Sequence, residues 1–251
     1  MQLKNNMIIN GNYLFKYRGQ IPLILLILSI PIIWQNTDNY IYESNLKLIG
    51  YISGSFLSLL GLLLRYYTIG TTPEGTSGRN RNQQVAKYLN TRGAYSIIRH
   101  PLYFANYFIW LGLAIFSLSY IFIIITTLLF IIHYERIVLV EEQFLVNKFK
   151  KKYENFCKIT PLLFPNFKNF KKPRYTFSIK KIIKQEYSST FSTIISFLYL
   201  DFLINITYAM KNVDSAHMYN NIYLYILILA IIGYITMCLK FFRKYTSLLD
   251  D

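Results

Sequence analysis

The apolar residues of this chain are gathered into long runs and do not recur at helical or strand period. The runs are Ile21–Trp34, Leu48–Leu64, Leu102–Ser119, Tyr120–Ile132, Phe191–Leu200 and Ile222–Leu239. A bilayer span needs about 20 mostly apolar residues, and several runs reach that length alone or with their Tyr, Asn and Ser flanks. Charged residues are only 16% of the 251, where a soluble domain carries about 25%. The expected fold is therefore all-α: a polytopic transmembrane helical bundle. It has about six spans, near 19–35, 46–69, 101–118, 120–140, 188–209 and 219–239. The first run follows Lys16 and Arg18, contains Pro22 and Pro31, and has no small-residue cleavage site after it. It reads as a retained span, not a signal peptide.

Charge fixes the orientation. With the N-terminus in the cytoplasm, all 27 Lys and Arg residues fall on the inner side except Lys47 and Lys211. That is the positive-inside pattern, and it puts both termini in the cytoplasm of a bacterial inner-membrane protein. The net charge of +15 then belongs to inner loops, where it suits anionic lipid headgroups and gives no case for nucleic acid. Cys157 and Cys238 are the cysteines; they lack metal-ligand spacing and read as free thiols.

The connections divide the chain. Residues 1–47 hold the first span and an outer loop, and 48–165 form a core. Residues 166–187 read as a basic tether at the lipid surface, and 188–251 as an added helix pair. Spans 3 and 4 are joined almost directly, as a tight hairpin. Residues 70–100 are a long inner loop with Gly70, Gly75, Gly78 and Gly93; its TTPEGTSGRN stretch is a candidate acceptor gate. Residues 141–160 are expected to continue span 4 as a charged cytoplasmic amphipathic helix. Phe144, Leu145, Phe149, Tyr153 and Phe156 line its apolar face, and Pro161 stops it. In span 5, Asp201 and Asn205 share a face, and a structural polar contact is the first expectation for them.

Ionisable residues gather at one depth. Arg99-His100-Pro101-Leu102-Tyr103 opens span 3. Pro101 suits the first helical position, and free backbone N–H groups there favour an anion. Span 4 descends to Glu135, Arg136, Glu141 and Glu142 near the inner boundary. Carboxylates there need a partner or a bound cation, and Arg136 is one candidate partner. The hairpin brings the positive start and the negative end together. S-adenosylmethionine, with a carboxylate, an amine and a sulfonium, matches such a pair of charges; so does a phospholipid headgroup.

GAYSIIRHPLYFANYFIWLG followed by EEQFLVNKFKKKYENF resembles the isoprenylcysteine carboxyl methyltransferase and phospholipid methyltransferase family of integral membrane enzymes. The resemblance covers about 48–165. Gly93, Tyr95, Arg99, His100, Pro101 and Tyr103 fit its first half, and Glu141, Glu142, Leu145, Phe149 and Tyr153 its second. Lys150 stands at the usual Gly, and Phe156 at the usual final Tyr. The resemblance implies S-adenosylmethionine as cofactor and a membrane lipid or lipidated acceptor as partner. It implies Tyr95, His100, Pro101, Tyr103 and Glu142 near the cofactor, and Arg99, Glu141 and Glu142 as catalytic. No metal site is expected. Arg65, Arg79, Arg81, Arg92 and Arg99 suit an acceptor phosphate or carboxylate oxygen. The alternatives are a phospholipid amine N-methyltransferase, an inactive scaffold, or a lipid transport component.

Overall fold

The computed structural model describes residues 2–36, 45–73, 75–76, 84–212 and 215–246. Every regular element among them is helical. In order they are α1 (Gln2–Tyr17), α2 (Ile21–Asn36), α3 (Asn45–Gly70), α4 (Pro101–Phe116), α5 (Tyr120–Phe149), α6 (Lys151–Ile159), α7 (Ile179–Asn212) and α8 (Ser215–Tyr245). Short 3₁₀ turns occur at Gly93–Ser96 and Phe167–Asn169. Four helices, α3, α5, α7 and α8, are long and apolar enough to cross a bilayer. The chain is a transmembrane protein.

The span boundaries differ from expectation in three places. Before the first apolar run lies a further helix, α1, bent by 85° from α2. Helix α4 has 16 residues, about 24 Å at 1.5 Å per residue, so it is shorter than the hydrocarbon core. Helix α7 starts at Ile179 rather than 188, so the second half of the expected tether is helix. The expected loop 36–45 lies almost wholly outside the described residues, as does half of the expected acceptor gate at 71–80, whereas most of 211–218 is taken up by the end of α7 and the start of α8.

Helices α3 and α4 form the tightest pair, and small residues explain it. Gly50, Gly54, Ser58 and Gly61 line one face of α3 and are all buried. A Cβ on Gly54 would sit 2.5 Å from the Gly112 carbonyl oxygen, and one on Gly61 2.6 Å from that of Ala105. Ser58 Oγ donates to the Ile109 carbonyl at 2.9 Å. In lipid, where apolar burial gives little drive, such close backbone approach is what holds helices together.

Helices α4 and α5 are joined by Ser117-Leu118-Ser119. Leu118 adopts φ +59°, and Ser119 caps α5 by accepting from Phe122 N. Helix α5 does not continue smoothly through 141–160. It ends at Phe149, and Lys150 turns the chain at φ +46° and ψ −131° before α6. Glycine alone adopts that conformation without strain, which is the physical meaning of the glycine usual there. Helix α1 packs on the C-terminal half of α5, where a Cβ on Gly11 would meet the Arg136 carbonyl at 2.5 Å. Helix α8 packs on α7 through Tyr225, which donates to Asp201 and accepts from Asn205 at 3.0 Å. That is a structural helix–helix contact.

Candidate active site

A cavity of about 460 Å³ opens between α2, α3, α4, α5, α7 and the segment 84–100. One end of it lies where α4 begins, beside Glu141 of α5. Backbone bonds pin that start: Arg99 N–H donates to the Pro161 carbonyl at 3.0 Å, and Asn166 N–H to that of Ile97 at 2.8 Å. Gly93 takes φ +60°, and its N–H donates to the Lys171 carbonyl at 2.9 Å. The stretch after α6 thus clamps the segment that carries Tyr95, Arg99 and His100.

Arg99 Nη1 lies 2.7 Å from Glu142 Oε1. His100 bridges both acids, with Nδ1 3.4 Å from Glu141 Oε2 and Nε2 3.4 Å from Glu142 Oε1. The Tyr103 ring stacks on His100 at 5.6 Å and tilts against Tyr134 at 4.6 Å. Tyr95, Arg99, His100, Tyr103 and Glu141 line the cavity; Pro101 is buried behind them at the first position of α4. Glu142 is not on the wall. It stands behind Arg99 and His100, so of the two acids Glu141 faces the cavity.

Burial alone would depress the His100 pKa, but hydrogen bonds and charge from Glu141 and Glu142 outweigh it and raise the value. Burial, reinforced by Glu141, pushes the Tyr95 phenol up, so it is a neutral donor. Burial, with Glu142 and Cys157 beside it, does the same to Tyr153. Arg99 Nη1 also approaches Cys157 Sγ at 3.5 Å. The helix start holds fewer free N–H groups than expected. Pro101 has none, and those of Tyr103 and Phe104 already donate to the His100 carbonyl at 3.1 Å, leaving Leu102. Arg136 does not serve the acids; it donates to the Ile132 carbonyl, and Glu135 is exposed.

The sequence reading missed half of the wall. Arg65 of α3 pairs with Glu186 of α7 through two hydrogen bonds, at 2.7 and 2.9 Å, and donates to Asn106 Oδ1 at 2.5 Å. Asn106 donates onward to the Tyr134 hydroxyl at 2.7 Å. Ser189, Ser192 and Ser196 of α7 continue this polar side. Across from them stand Leu25, Leu26, Ile109 and Leu113. The sequence places Glu186 in the basic tether 166–187, where Lys residues crowd before it. Its signal was the four-residue step from Glu186 to Thr190, leading into an apolar run. Of the other arginines, Arg92 is exposed and off the cavity, and Arg79 and Arg81 lie outside the described residues.

Residues 49–152 match the family described as phospholipid methyltransferase. This stretch is similar to that family. It holds α3, α4 and α5 with the segment between, and so all of Tyr95, Arg99, His100, Pro101, Tyr103, Glu141 and Glu142. Helices α2 and α7, which complete the cavity, lie outside it. The chain is also similar to the cobalt-zinc-cadmium resistance protein CzcN of Cupriavidus metallidurans, 34% identical over 89 residues. That match covers 36% of this chain and 38% of the relative's length. No solved structure matches. Among the described residues, no group of three or more His, Cys, Asp and Glu is placed to hold a metal ion.

The cavity is lined by two carboxylates, Glu141 beside His100 and Glu186 clamped to Arg65, by several aromatic faces, and by Arg18 and Arg99, the latter paired with Glu142. Glu141 suits an ammonium or sulfonium group, and Tyr95, Tyr103 and Phe144 suit a flat heterocycle or a methyl cation equivalent. Its depth is amphipathic, polar along α7 and apolar along α2 and α4. A reactant with one charged end and one hydrocarbon end fits that lining.

Proposed function

We propose that this protein is an S-adenosylmethionine-dependent methyltransferase acting on a membrane-embedded amphipathic acceptor, at a phosphate or carboxylate oxygen of a lipid. The observation that carries this is the convergence of Arg99, His100, Tyr103 and Glu141 on one cavity that extends from the inner boundary into apolar helix faces. S-adenosylmethionine supplies an electrophilic methyl group on sulfur. The chain's own part is alignment and electrostatics. Glu141 balances positive charge, with His100 holding its orientation. Glu142 keeps Arg99 and His100 in place. Tyr95 and Tyr103 remain protonated donors and exclude water. With both termini in the cytoplasm, as the distribution of Lys and Arg favours, the end of the cavity at the start of α4 faces the cytoplasm.

A second reading is methylation of a phospholipid amine. Its supporting observation is that Arg65 and Arg99 each carry their own carboxylate, Glu186 and Glu142. The net charge of those two arginines is therefore already balanced, and Glu141 or His100 can take the proton an ammonium must lose. The test of both is one experiment. Purified protein, membrane lipid extract and methyl-labelled S-adenosylmethionine are incubated, and the labelled lipid is identified. Label on a phosphate or carboxylate ester supports the first reading, and label on an amine the second. No labelled lipid, with no S-adenosylmethionine binding, would overturn both.

A further inference from the structure

The pair Arg65–Glu186 is the most costly feature of the cavity wall. Arg65 lies within the matched stretch 49–152, but Glu186 comes from α7, outside it. Two charges at this depth are kept only where geometry and further hydrogen bonds repay their desolvation. Here the geometry is a fork: Nε and Nη2 of Arg65 meet the two carboxylate oxygens, and Nη1 meets Asn106. An arginine has five N–H groups. Three are used, and two remain, one on each Nη. The pair is also asymmetric in exposure, 14% for the Arg65 side chain and 3% for that of Glu186. Both line the cavity, and the guanidinium is the more exposed of the two.

We propose that Arg65 is an anion-recognition residue of the cavity, taking one carboxylate or phosphate group, and that Glu186 is the positioning residue that holds it. A guanidinium fixed on one edge by a carboxylate and at one end by an amide loses little freedom when it binds a second anion. Its charge is already balanced, so binding rests on directed hydrogen bonds and discriminates by geometry. Asn106 couples it to Tyr134, and Tyr134 to Tyr103 beside His100, which places the anion on the same wall as the proposed reaction centre. Two anions have the right chemistry: the carboxylate of S-adenosylmethionine and the phosphate or carboxylate of a lipid acceptor. The inference rests on the proposed function only for those two identities.

The test uses Arg65→Lys, which keeps the charge and loses the fork, and Glu186→Gln, which keeps the shape and loses the clamp. Binding of S-adenosylmethionine and of its decarboxylated form is measured in detergent, as is thermal stabilisation by dodecyl phosphate against dodecanol. If the anion is the cofactor carboxylate, Arg65→Lys weakens S-adenosylmethionine about ten- to a hundredfold and leaves the decarboxylated form within twofold. If it is the acceptor's, S-adenosylmethionine binds unchanged and stabilisation by dodecyl phosphate is lost. Glu186→Gln follows whichever pattern Arg65→Lys shows, to a smaller extent. Unchanged response to both anions, with only a lower unfolding temperature, would reduce the pair to a structural contact. Should the variants not fold, the unvaried protein decides: equal affinity for both cofactor forms and no preference for dodecyl phosphate overturns the proposal. Dodecyl phosphate recognition through Arg65, without any cofactor binding, would sink the methyltransferase reading and leave the anion site standing.

Discussion

Lys150 is where a single substitution should strengthen the protein. It sits at φ +46° and ψ −131° between α5 and α6, a region that a side-chain-bearing residue enters only under strain. Such a conformation costs about 1–3 kcal/mol. Glycine removes that cost, and the freer unfolded chain takes back about 0.4–1 kcal/mol. The backbone bonds at the break survive the change: Lys150 N–H donates to the Val146 carbonyl at 2.8 Å, and its own carbonyl accepts from Tyr153 and Glu154. The Lys150 side chain is exposed, so little packing is lost. Lys150→Gly should therefore stabilise by about 1 kcal/mol net, a rise of about 2–4 °C in unfolding temperature for a chain this size. Lys150→Ala is the control. It removes the amine and keeps the Cβ, hence the strain, and should leave the unfolding temperature unchanged. Both are measured in one detergent by thermal unfolding. A glycine variant no more stable than the alanine one would refute the strained turn, and with it the account of why glycine is usual there.

Three further outcomes are expected. Gly54→Ala should destabilise by about 1–3 kcal/mol, because its Cβ meets backbone at 2.5 Å from Gly112 O and 2.8 Å from Phe116 N; Gly233→Ala, with nothing within 4 Å, should not, and equal unfolding temperatures for the two would disprove the close α3–α4 packing. The His100 pKa is raised on folding, so its contribution to stability is full below about pH 6.5 and fades as pH rises through the folded value. The unfolding-temperature gap between the unvaried protein and His100→Gln should then be widest near pH 6 and shrink toward pH 9; a gap that grows with pH is the contrary result. His100→Ala and Glu142→Gln should each reduce S-adenosylmethionine binding or methyl transfer about ten- to a hundredfold, and the double variant should lose less than the sum, because the two side chains touch. Full activity in either single variant would remove it from the site.

What the sequence made legible follows from how local each signal is. Arg99, His100 and Tyr103 lie within one helical turn, and Glu141 and Glu142 are adjacent; a hairpin as short as Ser117–Ser119 leaves their two helices no choice but to run side by side. Helical period and loop length alone therefore bring the two halves of the inner cluster to one depth. The same logic does not reach Glu186. Its partner Arg65 is 121 positions away, on a helix that could have met any other; the polar step Glu186, Ser189, Thr193, Ser196 marks a face of α7 but not what that face meets. The sequence offers Arg65 to an acceptor anion but gives no sign of the carboxylate that the fold sets on it. The division of 141–149 from 151–159 was hidden for another reason. Phe144, Leu145, Phe149, Tyr153 and Phe156 keep a helical apolar period straight through the break, and period carries no information about the sign of φ. Only the residue type at 150 does, and here it is a lysine where glycine would have marked the turn. The α7 wall shows why the matched segment is not the whole site. It supplies the inner cluster, while the groove into which an acceptor's apolar part must run is closed by Leu25 and Leu26 on one side and by Ser189, Ser192 and Ser196 on the other. Those residues belong to helices outside the segment, so two proteins sharing the inner cluster need not share an acceptor.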